Sequence, residues 1–292
     1  MHALDDLFQQ LKTQANVFHN GQYVGSFSVD TSGQGSTSFH IVTHGRCVIE
    51  VNGESYHLAQ GDGVFLPSDA EHTVKDSCES LAATNKQESL SMDQQLVSNG
   101  TGLVCGNLIS QHPLAGKLMQ SLPEVIIIRA DEHPTCATVV NLIMQEAKNP
   151  AQPGVFVLNK LADALFYILM RDHATASSGV LAAILHPRLK KAVELIHSNP
   201  SKAVSVEDLS AYSAMSKSAF AKEFKEVVGV PPSEYQTQWR MLRAYRLLSD
   251  EGVTTIEAAN RSGYESEASF SKAFKRVLGM GPGEARKAAK TR

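Results

Sequence analysis

Two stretches near the end of the chain hold the residue types that contact nucleic acid, in the same order. Residues 214–232, AMSKSAFAKEFKEVVGVPP, align with residues 264–282, YESEASFSKAFKRVLGMGP, at an offset of 50. Phe220 matches Phe270, Lys222 matches Lys272 and Phe224 matches Phe274. Lys225, Gly229 and Pro232 match Lys275, Gly279 and Pro282. Upstream, Val206, Glu207 and Ser216 pair with Ile256, Glu257 and Ser266 at the same offset. In the first unit Phe220, Phe224 and Val227 recur at helical spacing and must face a core. Ser218, Ala221, Lys222 and Lys225 then point outward, following Ser216 and Lys217. Their counterparts are Ala268, Ser271, Lys272 and Lys275, with Ser269 beside them and Ser266 and Glu267 before them. Outward lysines reach guanine acceptors or phosphates, and serines reach base edges or backbone. A merely solvated helix face explains one such unit. It does not explain two with the same cap, core and lysine phase.

These side chains need helices to aim them. In each unit a short helix (VEDLSAYS in the first) precedes a tight turn and a second, basic helix. Ser216 and Ser266 are natural N-caps, because a serine hydroxyl accepts from the free amides of the next turn. Gly229 and Gly279 stop the helices, and Pro231 and Pro232 follow the first. That is the helix-turn-helix pattern, whose second helix enters the major groove. Between the units runs SEYQTQWRMLRAYRLLSD, a helix of about 16 residues and about 24 Å at 1.5 Å per residue. Trp239, Leu242, Leu247 and Leu248 face inward, with Arg240, Arg243 and Arg246 partly outward. Such a bar can hold two reading heads apart over successive major grooves, which recur about every 34 Å.

The charge distribution agrees. The whole chain carries −3, yet residues 186–292 contain 18 Lys+Arg against 12 Asp+Glu, a balance of +6. The 9 basic and 18 acidic residues before them leave −9 there, so one half suits a polyanion and the other has different work. With 292 residues, two domains are expected, and 42% hydrophobic residues supply real cores. No run approaches the roughly 20 apolar residues that span a bilayer. The start, MHALDDLFQQ, lacks the basic n-region and apolar run of a signal peptide. A cytoplasmic protein without membrane contact is expected. Cys47, Cys78, Cys105 and Cys136 are far apart with no CxxC pair, which excludes a zinc finger and reads as reduced thiols.

From residue 21 to 74 short β-rich runs alternate with glycine, as in SFHIVTHG, RCVIEVNG and GVFLPS, and predict a sandwich or barrel. Residues 76–100 read as a long polar loop, and GLVCGNLI resumes strand character. Helices follow in CATVVNLIMQEAK and GVFVLNKLADALFYILMRDH. The second puts Leu158, Leu161, Ala162, Leu165, Ile168 and Leu169 on one face, which either packs in its own domain or forms a dimer interface over 158–170. TASSGVLAAILHPR reads as the linker. Residues 1–178 and 186–292 are thus the expected domains.

The two units, the link bearing Arg243, Ala244, Leu247 and Leu248, and the ending GYESEASFSKAFKRVLGMGPGE resemble the AraC/XylS family of bacterial transcription regulators over about residues 186–286. The family's closing Pro–x–x–Tyr–Arg is here Pro282, Gly283, Glu284, Ala285, Arg286, so the tyrosine's packing is lost. Residues 40–72 resemble the cupin barrel of such regulators through Gly61, Pro67 and His72. In a metal-binding cupin two histidines one residue apart converge with a later one. Val42 stands where the partner of His40 should be. A site of His40, His44 and His72 is one reading, and histidines in a metal-free barrel the other, which is preferred. SFHIVTHGRCVIEVNG, GLVCGNLISQHPL, SLPEVIII and LHPRL look like the subgroup that responds to oxidants or reactive chlorine. That resemblance makes Cys105 a sensing thiol, with Cys78 as a second thiol in the polar loop. The alternative for Cys105 is a small buried apolar residue.

The resemblance implies an α+β chain: an N-terminal cupin-like β-barrel with helices and a C-terminal all-α double helix-turn-helix domain. It implies a regulator without cofactor or catalysis, controlled by a small molecule or oxidant. Its partners would be double-stranded promoter DNA, a second copy in a homodimer, and RNA polymerase if it activates. The rival is a cupin metalloenzyme carrying a nucleic-acid-binding domain, which needs a ligand set that the missing histidine denies it.

Overall fold

The computed structural model describes residues 3–33, 35–77, 88–91, 100–110, 112, 115–129, 131–149, 154–173 and 179–288. The strands are β1 (Gln14–Val24), β2 (Ser28–Asp30), β3 (Thr37–His44), β4 (Arg46–Val51), β5 (Glu54–Ala59), β6 (Gly63–Leu66), β7 (His72–Asp76), β8 (Glu88–Ser91), β9 (Thr101–Ile109) and β10 (Ile126–Ile128). Before, among and after them run α1 (Ala3–Leu11), α2 (Ala115–Met119), α3 (Pro134–Ala147), α4 (Val155–His173), α5 (Val180–Leu185) and α6 (Lys190–Ser198). The C-terminal helices are α7 (Val206–Tyr212), α8 (Lys217–Val228), α9 (Pro232–Ser249), α10 (Thr255–Arg261), α11 (Glu267–Leu278) and α12 (Pro282–Ala288). None of the described helices is long and apolar enough to cross a membrane.

Two compact units share these elements. One contains Thr13–Ile109 and Leu122–Asp172; the other contains Met1–Lys12, Ser110–Ser121 and His173–Arg292. The division by contacts therefore differs from a cut along the chain, because α1 and α2 belong with the C-terminal helices.

The first unit is built from antiparallel sheets ordered β10-β6-β3-β9-β1-β8 and β2-β7-β4-β5. They form a cupin-like pair of sheets without closing into one continuous ladder, the outcome that alternating strands and glycine turns favour. Val42, Ile49, Leu58, Val64, Leu66, Val74 and Leu103 form its interior. Phe39, Ile41 and Phe65 face the other way and meet Ala162, Leu165, Phe166 and Leu169 of α4. Asn159 and Asp163 fix that helix by accepting from the amides of Val17 and Ala15 on β1, at 2.8 and 2.5 Å. So Leu158, Ala162, Leu165 and Leu169 are core, while Leu161 and Ile168 are half-buried.

In the second unit α9 serves two cores. Tyr235 and Trp239 pack with Phe224 and His197 near its start. Met241, Ala244, Tyr245 and Leu248 join Phe270, Phe274 and Ala285 toward its end. Ala285, where the family ending has tyrosine, is fully buried there. The expected linker is instead partly helix: α5 buries Leu181, Ala183 and Ile184, and Gly179 donates to the carbonyl of Val227 at 2.9 Å.

Two histidines of this unit are buried as neutral rings. Burial holds His197 down to about 3 and His112 down to about 4. An unfolded imidazole takes up its proton near pH 6.5. Below that pH the unfolded chain binds more protons than the folded one, so stability falls as pH falls. At about 1.4 kcal/mol per pH unit for each ring, lowering pH from 7.5 to 5 should cost the helical unit about 4 kcal/mol. Urea unfolding followed by the fluorescence of Trp239, the single tryptophan, checks this. A pH-independent midpoint over that range would contradict the neutral burial.

Candidate nucleic-acid interface

Each reading head is assembled by the same local chemistry. Ser216 accepts from the amide of Ala219 at 3.3 Å, and Ser266 accepts from that of Ser269 at 3.2 Å. Gly229 and Gly279 close α8 and α11 in the left-handed conformation, at φ 87° and 77°. Phe220, Phe224, Phe270 and Phe274 are fully buried, which rolls the opposite face outward. Val227 is only half-buried, so two phenylalanines rather than three apolar residues anchor α8.

The structure refines the repeat. The second helices align at an offset of 50, but the first helices align at 49. Ser205 and Thr254 cap α7 and α10, while Leu209 and Ala258 are their buried anchors. The second turn is one residue longer, and Gly263 within it takes φ +74°.

Lys217, Ser218, Lys222 and Lys225 are exposed along α8 with Ser216 at its start, while Ala221 is half-buried. On α11, Glu267, Ala268, Ser269, Lys272 and Lys275 are exposed after Ser266, and Ser271 is half-buried. The predicted residues of each head thus share one outward surface. The heads differ in charge. Lys217 pairs with Glu207, and Lys222 lies 3.9 Å from Glu226. Among the described residues Lys225, Lys272 and Lys275 have no ion-pair partner. Arg276, exposed on the last turn of α11, adds a cation that the repeat comparison passes over, because its counterpart in the first unit is the acidic Glu226. The second head is therefore the more open to phosphate and base acceptors.

The interior of the sheet unit brings together some of the other candidates. His40 and His72 are buried, with their Nε2 atoms 3.0 Å apart. His72 Nδ1 donates to the Ala70 carbonyl at 2.7 Å. Its Nε2 faces both the His40 ring and, at 2.8 Å, the Thr31 hydroxyl, and the single lone pair of a neutral ring there can accept from only one of them. Burial first, then His72 and His19, hold His40 down to about 3. His40 Nδ1 is buried without a partner among the described residues. His44 does not join this pair: among the described residues no group of three His, Cys, Asp or Glu is placed to hold a metal.

Cys105 lies opposite His40 and His19 in the β9 registers and is 4% exposed. Burial pushes its thiol far above the ordinary range, and pushes Cys47 up to about 12 and Cys136 up to about 11. Thiolate is the form that oxidants attack, so this setting suits the packing role of Cys105 better than the sensing one. Cys78 lies outside the described residues.

Comparison with known proteins gives two domain matches. Residues 2–175 match the family model described as cupin, and residues 209–288 match the helix-turn-helix domain. A Streptomyces lividans protein named as an AraC-like transcription regulator is 30% identical over 280 residues, which cover 91% of this chain and 92% of that protein. A Haemophilus influenzae HTH-type transcriptional regulator is 28% identical over 278 residues, with the same two coverages. The Escherichia coli protein named RCS-specific HTH-type transcriptional activator RclR is 28% identical over 238 residues, covering 78% of this chain and 76% of that one.

Proposed function

The chain belongs to the AraC-like transcription regulators that carry a cupin domain and a helix-turn-helix DNA-binding domain, and on that premise we propose how it works. The outward lysine faces of α8 and α11, carried on one 18-residue helix, support a reading of promoter DNA through two adjacent major-groove contacts per protomer. At 1.5 Å per residue α9 is about 27 Å long, close to one turn of the duplex. Residues 186–292 do the reading. Residues 1–178 sense an effector and dimerise, in the cytoplasm, and an activating role would bring in RNA polymerase. The effector is a small molecule taken up by the sheet interior, since Cys105 is buried and its thiolate disfavoured. Nothing in this arrangement calls for catalysis. Selection of bound sequences from random duplexes should enrich one motif with two short conserved blocks; enrichment of no motif would remove the reading.

Dimerisation is supported by the outer side of α4. Val155, Phe156 and Val157 on its first turn are 46%, 73% and 44% exposed, and Leu142 of α3 is 46% exposed. Leu161, Ala164 and Ile168 continue the stripe along the helix. Apolar patches of this kind mark association surfaces. Leu161→Glu should give soluble monomer, whereas Leu165→Glu, in the core, should give misfolded protein. Light scattering of the wild type decides the matter: a monomer at micromolar concentration would end the dimer reading.

A further inference from the structure

The two heads repeat one another closely, yet along the strip that faces outward they exchange two small side chains. Residues 218, 221, 222 and 225 of α8 follow one another at i, i+3, i+4 and i+7 and so share one face, away from the buried Phe220 and Phe224. Residues 268, 271, 272 and 275 do the same on α11. Both strips carry lysine at the last two places. At the first two, α8 has Ser218 and then Ala221, whereas α11 has Ala268 and then Ser271. Ser218 and Ala268 are exposed, and Ala221 and Ser271 are half-buried.

The two hydroxyls are open to an outside partner. Ser271 makes no side-chain hydrogen bond among the described residues. Ser218 has only the Ser216 hydroxyl, at 3.4 Å, which is long for a pair of oxygens. Ser269, off the strip, is by contrast engaged in the cap: it donates to the Ser266 carbonyl and accepts from the Ser266 hydroxyl, both at 2.9 Å. In the major groove thymine presents a methyl group that alanine meets by apolar contact, while a serine hydroxyl bonds donors and acceptors alike and selects less. Given the DNA reading proposed above, we infer that Ala221 and Ala268 each seat on a thymine methyl and that Ser218 and Ser271 hydrogen-bond the adjacent base. The two heads then read their blocks in opposite order along the helix. The exchanged places are about 4.5 Å apart at 1.5 Å per residue, about one base pair of the duplex. The thymine therefore shifts by that step against the lysine contact from one block to the other. The blocks are unlike, and the site has a direction.

The test removes one methyl group at a time. Each thymine of the selected duplex is replaced in turn by uracil, and binding of the full-length protein is measured by gel shift. One thymine in each block should be sensitive, losing about fourfold, the worth of one buried methyl group. In Ala221→Gly the sensitivity of one block should vanish while that of the other persists, and Ala268→Gly should do the converse. Each variant is compared with itself on the two duplexes, so a general loss of affinity cancels. Renewed selection with Ser218→Ala/Ala221→Ser should move the thymine of one block by about one base pair, into the order of the other block. Enrichment of no motif would remove the DNA reading itself. A two-block motif without a sensitive thymine, or a pattern of sensitivity unchanged in either folded glycine variant, would leave that reading and overturn this inference. The wild-type uracil scan suffices to do so if neither variant folds.

Discussion

In gel-shift titrations the double variant Lys222→Ala/Lys272→Ala should bind its selected duplex at least thirtyfold more weakly than the wild type. A lysine that reaches a base is worth about 1–3 kcal/mol, and two on separate heads should add. The two substitutions should not contribute equally. Lys222 is shared with Glu226 at 3.9 Å, while Lys272 has no acidic partner among the described residues, so Lys272→Ala should cause the larger single loss. Neither side chain contributes to a core, so thermal unfolding should stay at the wild-type temperature. If lysine contacts are to phosphate instead, the losses will be uniform across sequences and the salt slope will flatten by about one per lysine. Unchanged affinity in the double variant would show that these faces do not touch DNA.

The second large effect is predicted at a glycine. A Cβ on Gly263 would stand 1.9 Å from the carbonyl oxygen of Ser201, at a φ of +74° that side chains rarely adopt. Backbone oxygen cannot move aside as a flexible side chain can. Gly263→Ala should therefore cost about 4 kcal/mol or more, the range reserved for strain at special backbone positions. Gly229→Ala is the control: its φ is +87°, but nothing lies within 4 Å of the added methyl. It should lose only the left-handed preference, about 1–2 kcal/mol. Urea midpoints of the two variants check the ordering, and equal losses would show that the turn at Gly263 relaxes.

These two positions also show what the sequence could and could not disclose. The reading heads were legible because their determinants are local: a serine cap, phenylalanines four apart and a terminal glycine are complete within a dozen residues. The strands from Thr37 to Leu66 were legible for the same reason. What escaped was set by distant partners. The extra residue in the second turn is defined by where Gly263 meets Ser201, so alignment at a single offset misplaced the first helices by one. No local signal marks α1 and α2 as companions of the C-terminal helices, or the alanine-rich stretch at 180–185 as buried helix rather than linker. The outward stripe of α4 separates from its core face only once Asn159 and Asp163 are seen bonded to β1. His40 and His72 are 32 residues apart in sequence and meet only through the sheet, while His44, nearer to His40 along the chain, does not join them.

In the proposed mode of binding, α8 and α11 read one DNA site from two positions on a single bar. Methylation interference at guanine N7 tests it most directly, because that atom is the major-groove acceptor a lysine would use. With the full-length protein, interfering guanines should fall in two clusters about 10–10.5 base pairs apart for each protomer. Lys272→Ala should erase one cluster and leave the other. A single cluster, or the loss of both on removing Lys272 alone, would contradict the two-headed reading.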